Sequence, residues 1–168
     1  LMTSSQNALG QITTYTYTTA EDAPQPIGLL KTVTDPMGKT TRYEYDAYGN
    51  RIKVIDSLNL VTQYEYDTLG RLISTTSPEG LITTNEYDLA GRIVRTTRNH
   101  IENYPQNHED MYNIVTEYGY DPAGNQIAAT NTLGYTTFYT YDNNNRLLTT
   151  TDALGYTSTN VYNAMGRL

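Results

Sequence analysis

Polar and apolar residues alternate along most of this chain in runs of about six, each cut by a four-residue turn. Thr40-Thr41-Arg42-Tyr43-Glu44-Tyr45 is one such run. A period of two places Thr41, Tyr43 and Tyr45 on one face of a strand and Arg42 and Glu44 on the other. Asp46-Ala47-Tyr48-Gly49 ends the run. Asp opens such turns because its carboxylate can accept from backbone N–H groups further on, and Gly tolerates a left-handed corner. The chain then returns through a second run carrying Ile52. The pattern predicts a β-hairpin with strands of ordinary length. Helical spacing with caps is absent, so the expected class is all-β.

The hairpin is written repeatedly. Aligned on the second tyrosine of Tyr-x-Tyr, the repeats fall at Tyr17, Tyr45, Tyr66, Tyr87, Tyr120, Tyr141 and Tyr162, separated by 28, 21, 21, 33, 21 and 21 residues. The period is therefore 21, which marks a repeat architecture. The preceding tyrosines Tyr43, Tyr64, Tyr118 and Tyr139 share the phase. The first turn class opens at Asp46, Asp67, Asp88, Asp121, Asp142 and Asn163 and closes at Gly49, Gly70, Gly91, Gly124, Asn145 and Gly166. Arg71, Arg92, Arg146 and Arg167 follow the corner in four repeats. A second class occupies residues 7–10, 35–38, 56–59, 77–80, 110–113, 131–134 and 152–155.

The Thr41 position holds as Thr62, Thr83, Thr116, Thr137 and Ser158, whereas the Glu44 position drifts through Glu65, Glu86, Gly119, Thr140 and Val161. The restricted face is expected to be packed. The return strands place aliphatics at Ile52, Ile73, Val94, Ile127 and Leu148. One hairpin is marginal in water, so each needs its neighbours. Six to seven units, about 13 strands, predict one array over residues 1–168: an antiparallel ribbon of tandem hairpins in a sheet that curves or spirals, with a closed barrel as the alternative.

Composition sharpens this picture. Tyr occurs 17 times, Trp and Cys are absent, Phe138 is the sole phenylalanine, and 38% of residues are hydrophobic. That inventory suits a thin sheet packed through tyrosine rings and threonine methyls. The net charge of −7 disfavours a phosphate backbone as partner, so nucleic acid is excluded. Lack of cysteine rules out disulfides and thiolate metal sites. No apolar stretch reaches the roughly 18 residues of a membrane span. The first residues, Leu1 to Ser5, lack signal-peptide character and read as a cut from a longer chain.

The rhythm breaks twice, at residues 18–27 in place of a first-class turn and at residues 98–109 ahead of a second-class one. Hairpin geometry puts the two classes on opposite edges, so the insertions should project from opposite edges. His100 and His108 lie in the longer insertion with Glu102, Glu109 and Asp110, but no spacing there matches a metal-ligand motif.

The phrase Tyr64-Glu65-Tyr66-Asp67-Thr68-Leu69-Gly70-Arg71-Leu72, with Asp35-Pro36-Met37-Gly38 between units, resembles the YD repeat of RHS proteins. The likeness covers the chain apart from the two insertions. It implies β-hairpin strips that spiral into a hollow shell, as in bacterial polymorphic toxins, insecticidal toxin complexes, cell-wall-associated proteins and animal teneurins. It further implies a secreted or cell-surface bacterial location, a C-terminal effector domain as enclosed partner, and glycans as ligands ascribed to some members. The core segment with autoproteolytic aspartates found in bacterial members is not legible. Asp35-Pro36 is a repeat turn whose slot elsewhere holds Ser77-Pro78 and Asp152-Ala153.

Function is weighed on the same residues. A catalytic site is not normally copied six times, and equivalent aspartates two strands apart stand about 10 Å from one another, too far to couple. Each turn offers one carboxylate, too few for calcium. Catalytic residues, cofactors and metals are therefore expected to be none. Tyr43, Tyr45, Asp46, Gly49, Tyr64, Tyr66, Asp67, Gly70, Arg71, Tyr87, Asp88, Gly91, Arg92, Tyr118, Tyr120, Asp121, Gly124, Tyr139, Tyr141, Asp142, Arg146, Tyr162, Gly166 and Arg167 read as the structural signature of the repeat. The expected role is a structural wall around or beneath an effector domain, with open edge strands offering self-association. A carbohydrate- or protein-binding adhesion module is the alternative.

Overall fold

The computed structural model describes residues 2–101, 112–163 and 165–167. Its strands are β1 (Ser4–Gln6), β2 (Ile12–Tyr17), β3 (Leu30–Thr34), β4 (Thr40–Tyr45), β5 (Arg51–Ile55), β6 (Val61–Tyr66), β7 (Leu72–Thr76), β8 (Ile82–Tyr87), β9 (Ile93–Arg98), β10 (Ile114–Tyr120), β11 (Gln126–Asn131), β12 (Thr136–Tyr141), β13 (Leu147–Thr151) and β14 (Thr157–Thr159). The chain is all-β and antiparallel, as the alternation predicts. The described helix is a single 3-10 turn, Ala20–Asp22. The chain divides into two compact units, Leu1–Ile82 and Thr83–Leu168, and the repeat runs in both. Unit 1 holds β1 to β7; unit 2 holds β9 to β14 and all of β8 but its first residue. In each unit, strands follow one another in chain order.

Two kinds of ladder alternate. Within a hairpin, Arg42, Tyr43 and Glu44 pair with Ile55, Val54 and Lys53, and the register then slips so that Tyr45 pairs with Arg51. Ile52 is thereby the extra residue of a β-bulge. The same slip isolates Lys31, Ile73, Val94, Ile127 and Leu148. The aliphatic column expected on the return strand is therefore a column of bulge residues. A bulge raises local twist, so the device is applied once per repeat. Between hairpins the ladder is shorter. β3 and β4 share only Thr32–Arg42, Val33–Thr41 and Thr34–Thr40, and β5–β6, β11–β12 and β13–β14 likewise share three pairs.

Cross-strand pairing assigns the faces. Tyr43, Val54 and Thr62 stand side by side on one face, and Glu44, Lys53 and Gln63 on the other, where Lys53 and Glu44 form an ion pair at 3.1 Å. Threonine hydroxyls bond across the short ladders, as in Thr34–Thr40 and Thr130–Thr136. Among the described residues the only buried hydrophobic is Val115, at 7% exposure, joined by buried Thr18, Thr97 and Asn113. The thin core expected from composition is what is found. Ladders, turns and half-buried columns therefore hold the sheet, rather than an aliphatic interior.

Candidate functional site

Each first-class turn is built by its own acid. Asp67 Oδ1 accepts the N–H groups of Leu69 and Arg71, both at 2.9 Å. The Asp67 carbonyl accepts the N–H of Gly70, and the Asp67 N–H donates to the Arg71 carbonyl, both at 2.9 Å. Oδ2 takes the Arg71 Nε–H at 2.7 Å. Asp88 with Arg92 and Asp142 with Arg146 repeat this set at 2.7 and 2.6 Å. In Asp46 and Asp121 the cation is replaced by the amide of Asn50 or Asn125, each at 2.9 Å. Asn163 holds the N–H groups of Met165 and Arg167 in the same way. The corner after each acid is left-handed, at +76° for Gly70 and +58° for Asn145, the conformation that Gly and Asn tolerate.

The two tyrosines of each phrase act differently. The second turns its hydroxyl back to a main-chain carbonyl in the preceding strand. Tyr45 donates to Leu30 O at 2.8 Å, Tyr66 to Arg51 O at 3.0 Å, Tyr120 to Ile93 O at 2.8 Å, Tyr141 to Gln126 O at 2.8 Å and Tyr162 to Leu147 O at 3.0 Å. Tyr17 donates to Met2 O at 2.6 Å. These carbonyls lie where the inter-hairpin ladder has stopped, so the hydroxyl supplies a partner that the neighbouring strand does not. Among the first tyrosines, Tyr43 and Tyr64 contribute rings, whereas the Tyr15 hydroxyl meets Ser5 Oγ at 3.0 Å. Arg51 stands 5.8 Å from the Tyr43 centroid and 5.4 Å from that of Tyr64.

Arginine also joins repeats. Arg92, held by Asp88, lies 4.7 Å from the Tyr120 centroid and donates to the Asp121 carbonyl at 3.2 Å. Arg146, held by Asp142, lies 4.6 Å from the Tyr162 centroid. An acid in one turn thus fixes a guanidinium that stacks on the next repeat.

These partners shift the titrating groups. The Asp67 and Asp88 carboxyls are held below the usual aspartate value, foremost by the N–H groups of Arg71 and Arg92. Asp142 is lowered first by the Arg146 side chain and Asp121 first by the Asn125 amide. At Asp46 burial is the largest influence and pushes upward, but bonds from Asn50, Tyr48 and Gly49 together outweigh it. Burial raises the hydroxyls of Tyr45, Tyr66, Tyr120 and Tyr141.

The described parts of the interruptions are anchored by specific hydrogen bonds. In unit 1 the first follows β2, on the edge of the Asp46 and Asp67 turns. Thr18 accepts the Leu29 N–H and donates to the Pro26 carbonyl. Thr19 and Asp22 cap the 3-10 turn, and Lys31 pairs with Asp22. Gln25 Oε1 accepts the Tyr45 N–H at 2.8 Å, binding the segment to the end of β4. In unit 2 the second interruption joins β9 to β10, on the edge of the second-class turn 131–134 and opposite the Asp121 turn. Buried Asn113 closes its base, accepting the Ile101 N–H at 2.9 Å and donating to the Ile101 carbonyl at 3.2 Å. His108, Glu102, Glu109 and Asp110 lie outside the described residues. Among the described residues, no three His, Cys, Asp or Glu side chains gather as a metal site, and no helix is long and apolar enough to cross a membrane. Gln25 and Asn113 were not singled out by sequence. Asn113 sits at the corner of a recognised turn slot, but nothing in the letters points to Ile101.

A cleft of about 460 Å³ opens between two successive turns of unit 1, lined by Asp46, Tyr48, Asn50, Tyr66, Asp67 and Leu69 among others. A second, of similar volume in unit 2, is lined by Tyr135, Thr137, Asp152, Ala153 and Leu154.

The family model for the RHS Repeat matches residues 26–59, 52–82, 66–100 and 120–157. Comparison with curated proteins gives no match. Among solved structures, a crystal structure of TcdB2-TccC3 aligns with a TM-score of 0.63 at 22% identity, over 84% of this chain and 7% of that one. TcdB2-TccC3 without its hypervariable C-terminal region aligns at 0.57 and 20% identity, over 93% and 10%. The Photorhabdus luminescens Tc holotoxin pore carrying the TccC3-D651A mutation aligns at 0.54 and 20% identity, over 89% and 9%. The fold is thus shared with these proteins, of which this chain spans a tenth of the length or less.

Proposed function

Because this chain belongs to the RHS repeat family, we propose that it is a non-catalytic stretch of β-wall: one repeat array across residues 1–168 of a secreted or surface protein, enclosing or displaying an effector domain. One observation carries this reading. The signature side chains seen in contact engage the backbone or rings of their own hairpin or an adjacent one, as Tyr66 does with Arg51 and Arg92 with Tyr120 and Asp121. Asp, Tyr and Arg are chemically versatile, but the copies described above serve turn closure or strand joining. Neighbouring repeats are the first partners, and the effector domain of the parent chain is the second. That one solved relative was studied without a hypervariable C-terminal region supports a separable part beside such a wall. Edge strands of such a wall, where they are open, are a further route to self-association.

Limited proteolysis of the full-length parent tests the wall. The effector should survive in the wild type and become cleavable when Asp67→Ala and Asp88→Ala loosen adjacent turns. Equal digestion of both forms would contradict enclosure. The adhesion alternative rests on Tyr135, 56% exposed beside Asp152 and Leu154 in an open cleft, an arrangement that could stack on a sugar ring. A blank glycan array for the full-length chain removes it.

A further inference from the structure

We propose that the cleft between the Asp46 and Asp67 turns is a binding site for a guanidinium group, filled by an arginine side chain of another polypeptide. The chain supplies its own template. Where the residue four after the turn acid is arginine, its guanidinium bonds the acid and stacks on the next repeat's second tyrosine, as Arg92 does between Asp88 and Tyr120 and Arg146 between Asp142 and Tyr162. At Asp46 that residue is Asn50. Its amide bonds Asp46 Oδ2 at 2.9 Å, replacing one hydrogen bond of the guanidinium but neither its charge nor its reach.

Three groups that hold arginine elsewhere are therefore left together without one: an uncompensated carboxylate, a tyrosine face and the turn of the following acid. All three, Asp46, Tyr66 and Asp67, line the same cleft. The neighbouring cation does not fill it, because Arg51 is directed at the rings of Tyr43 and Tyr64. Arg51 and, more weakly, Asp46 are both felt at the Tyr66 hydroxyl, which places acid and ring within electrostatic range of each other. Exposed Tyr48 and Leu69 flank the opening, where an arginine's aliphatic stem would rest.

The other asparagine slot shows what closure looks like. Asn125 Nδ2 bonds Asp121 and also reaches Asn145 Oδ1 of the next turn at 2.9 Å. At Asn50 the next corner is Gly70, which offers no side chain to bridge to. Planar guanidinium suits this arrangement better than the compact ammonium of lysine, because it can face a ring and bond a carboxylate at once.

The experiment is a titration of the 15N-labelled chain with N-acetyl-arginine amide, with N-acetyl-lysine amide as comparison. Saturable shifts confined to the amides of Tyr48, Asn50, Tyr66 and Leu69, and several-fold weaker shifts with the lysine analogue, are expected. Asn50→Arg restores the residue used in the sister repeats, so it should fold, fill the cleft from within and abolish the response. Asp46→Asn keeps the turn, as Asn163 does in its own repeat, and should abolish the response by removing the charge. No saturable shift in the wild type, an equal response to lysine, or a response that survives either substitution would overturn the site.

Discussion

The Tyr45 hydroxyl donates to the Leu30 carbonyl at 2.8 Å, beyond the last ladder pair, Thr32–Arg42, that joins their two strands. The hydrogen bond extends the contact between successive hairpins past the point where the backbones part. The same relationship recurs at Tyr66, Tyr120, Tyr141 and Tyr162. The repeat thus has two joints: a turn closed by an acid, and a strand edge closed by a phenol.

The acid joint predicts a graded response at Asp67. Asp67→Ala leaves the N–H groups of Leu69 and Arg71 without their acceptor and should lower stability measurably. Asp67→Asn keeps that acceptor, as Asn7, Asn131 and Asn163 do in their turns. It loses only the ion pair with Arg71, so its loss should be the smaller. Urea denaturation of the two variants should therefore separate them, with alanine the lower.

Much of this was legible in the letters. The 21-residue period, both turn classes, the strand runs and the alternation at Tyr43 and Glu44 all appear where a two-residue period and Asp-x-x-Gly corners place them. The bulge at Ile52 was not legible, because a slip of register belongs to the pairing of two strands and neither strand's own pattern records it. The acceptor of Tyr45 is a main-chain carbonyl 15 residues earlier, and a carbonyl has no letter. A signal for the hydroxyl was nevertheless present: the aligned position is tyrosine seven times, while the chain's one phenylalanine, Phe138, lies elsewhere. The interruptions were visible as breaks in the rhythm. Their attachment through Gln25 and Asn113 depends on side-chain bonds to residues 20 and 12 positions away, which no local pattern encodes.

Stability should fall at both ends of the pH scale. The carboxyls of Asp67, Asp88, Asp121 and Asp142 have folded values below their unfolded ones. Their contribution is therefore complete above the unfolded value, about 4, and is lost as pH falls through and below it. The raised tyrosines act in the opposite sense. Tyr45, Tyr66, Tyr120 and Tyr141 contribute fully below the unfolded value, about 10, and lose that contribution as pH rises past it. Thermal melts should give a plateau between these limits, and Asp67→Asn together with Asp88→Asn should flatten the acid limb.

The left-handed corners predict a purely conformational penalty at Gly38. Its φ is +79° and an added Cβ would meet nothing within 4 Å, so no clash contributes. Gly38→Ala should lower stability by about 1–2 kcal/mol. Gly38→Asn should cost less, since Asn59 holds the same corner at +63° in the next turn of that class. Denaturation midpoints for the pair check this.

In the Tyr43–Tyr45 phrase the second tyrosine works through a strand-joining hydroxyl and the first through its ring. The most direct measurement compares Tyr45→Phe with Tyr43→Phe by urea denaturation. Tyr45→Phe strands the Leu30 carbonyl and should lower stability by about 1 kcal/mol. Tyr43→Phe keeps the ring beside Arg51 and should leave the midpoint within about 0.5 kcal/mol of wild type. Equal losses from the two substitutions, or an unchanged midpoint for Tyr45→Phe, would contradict it.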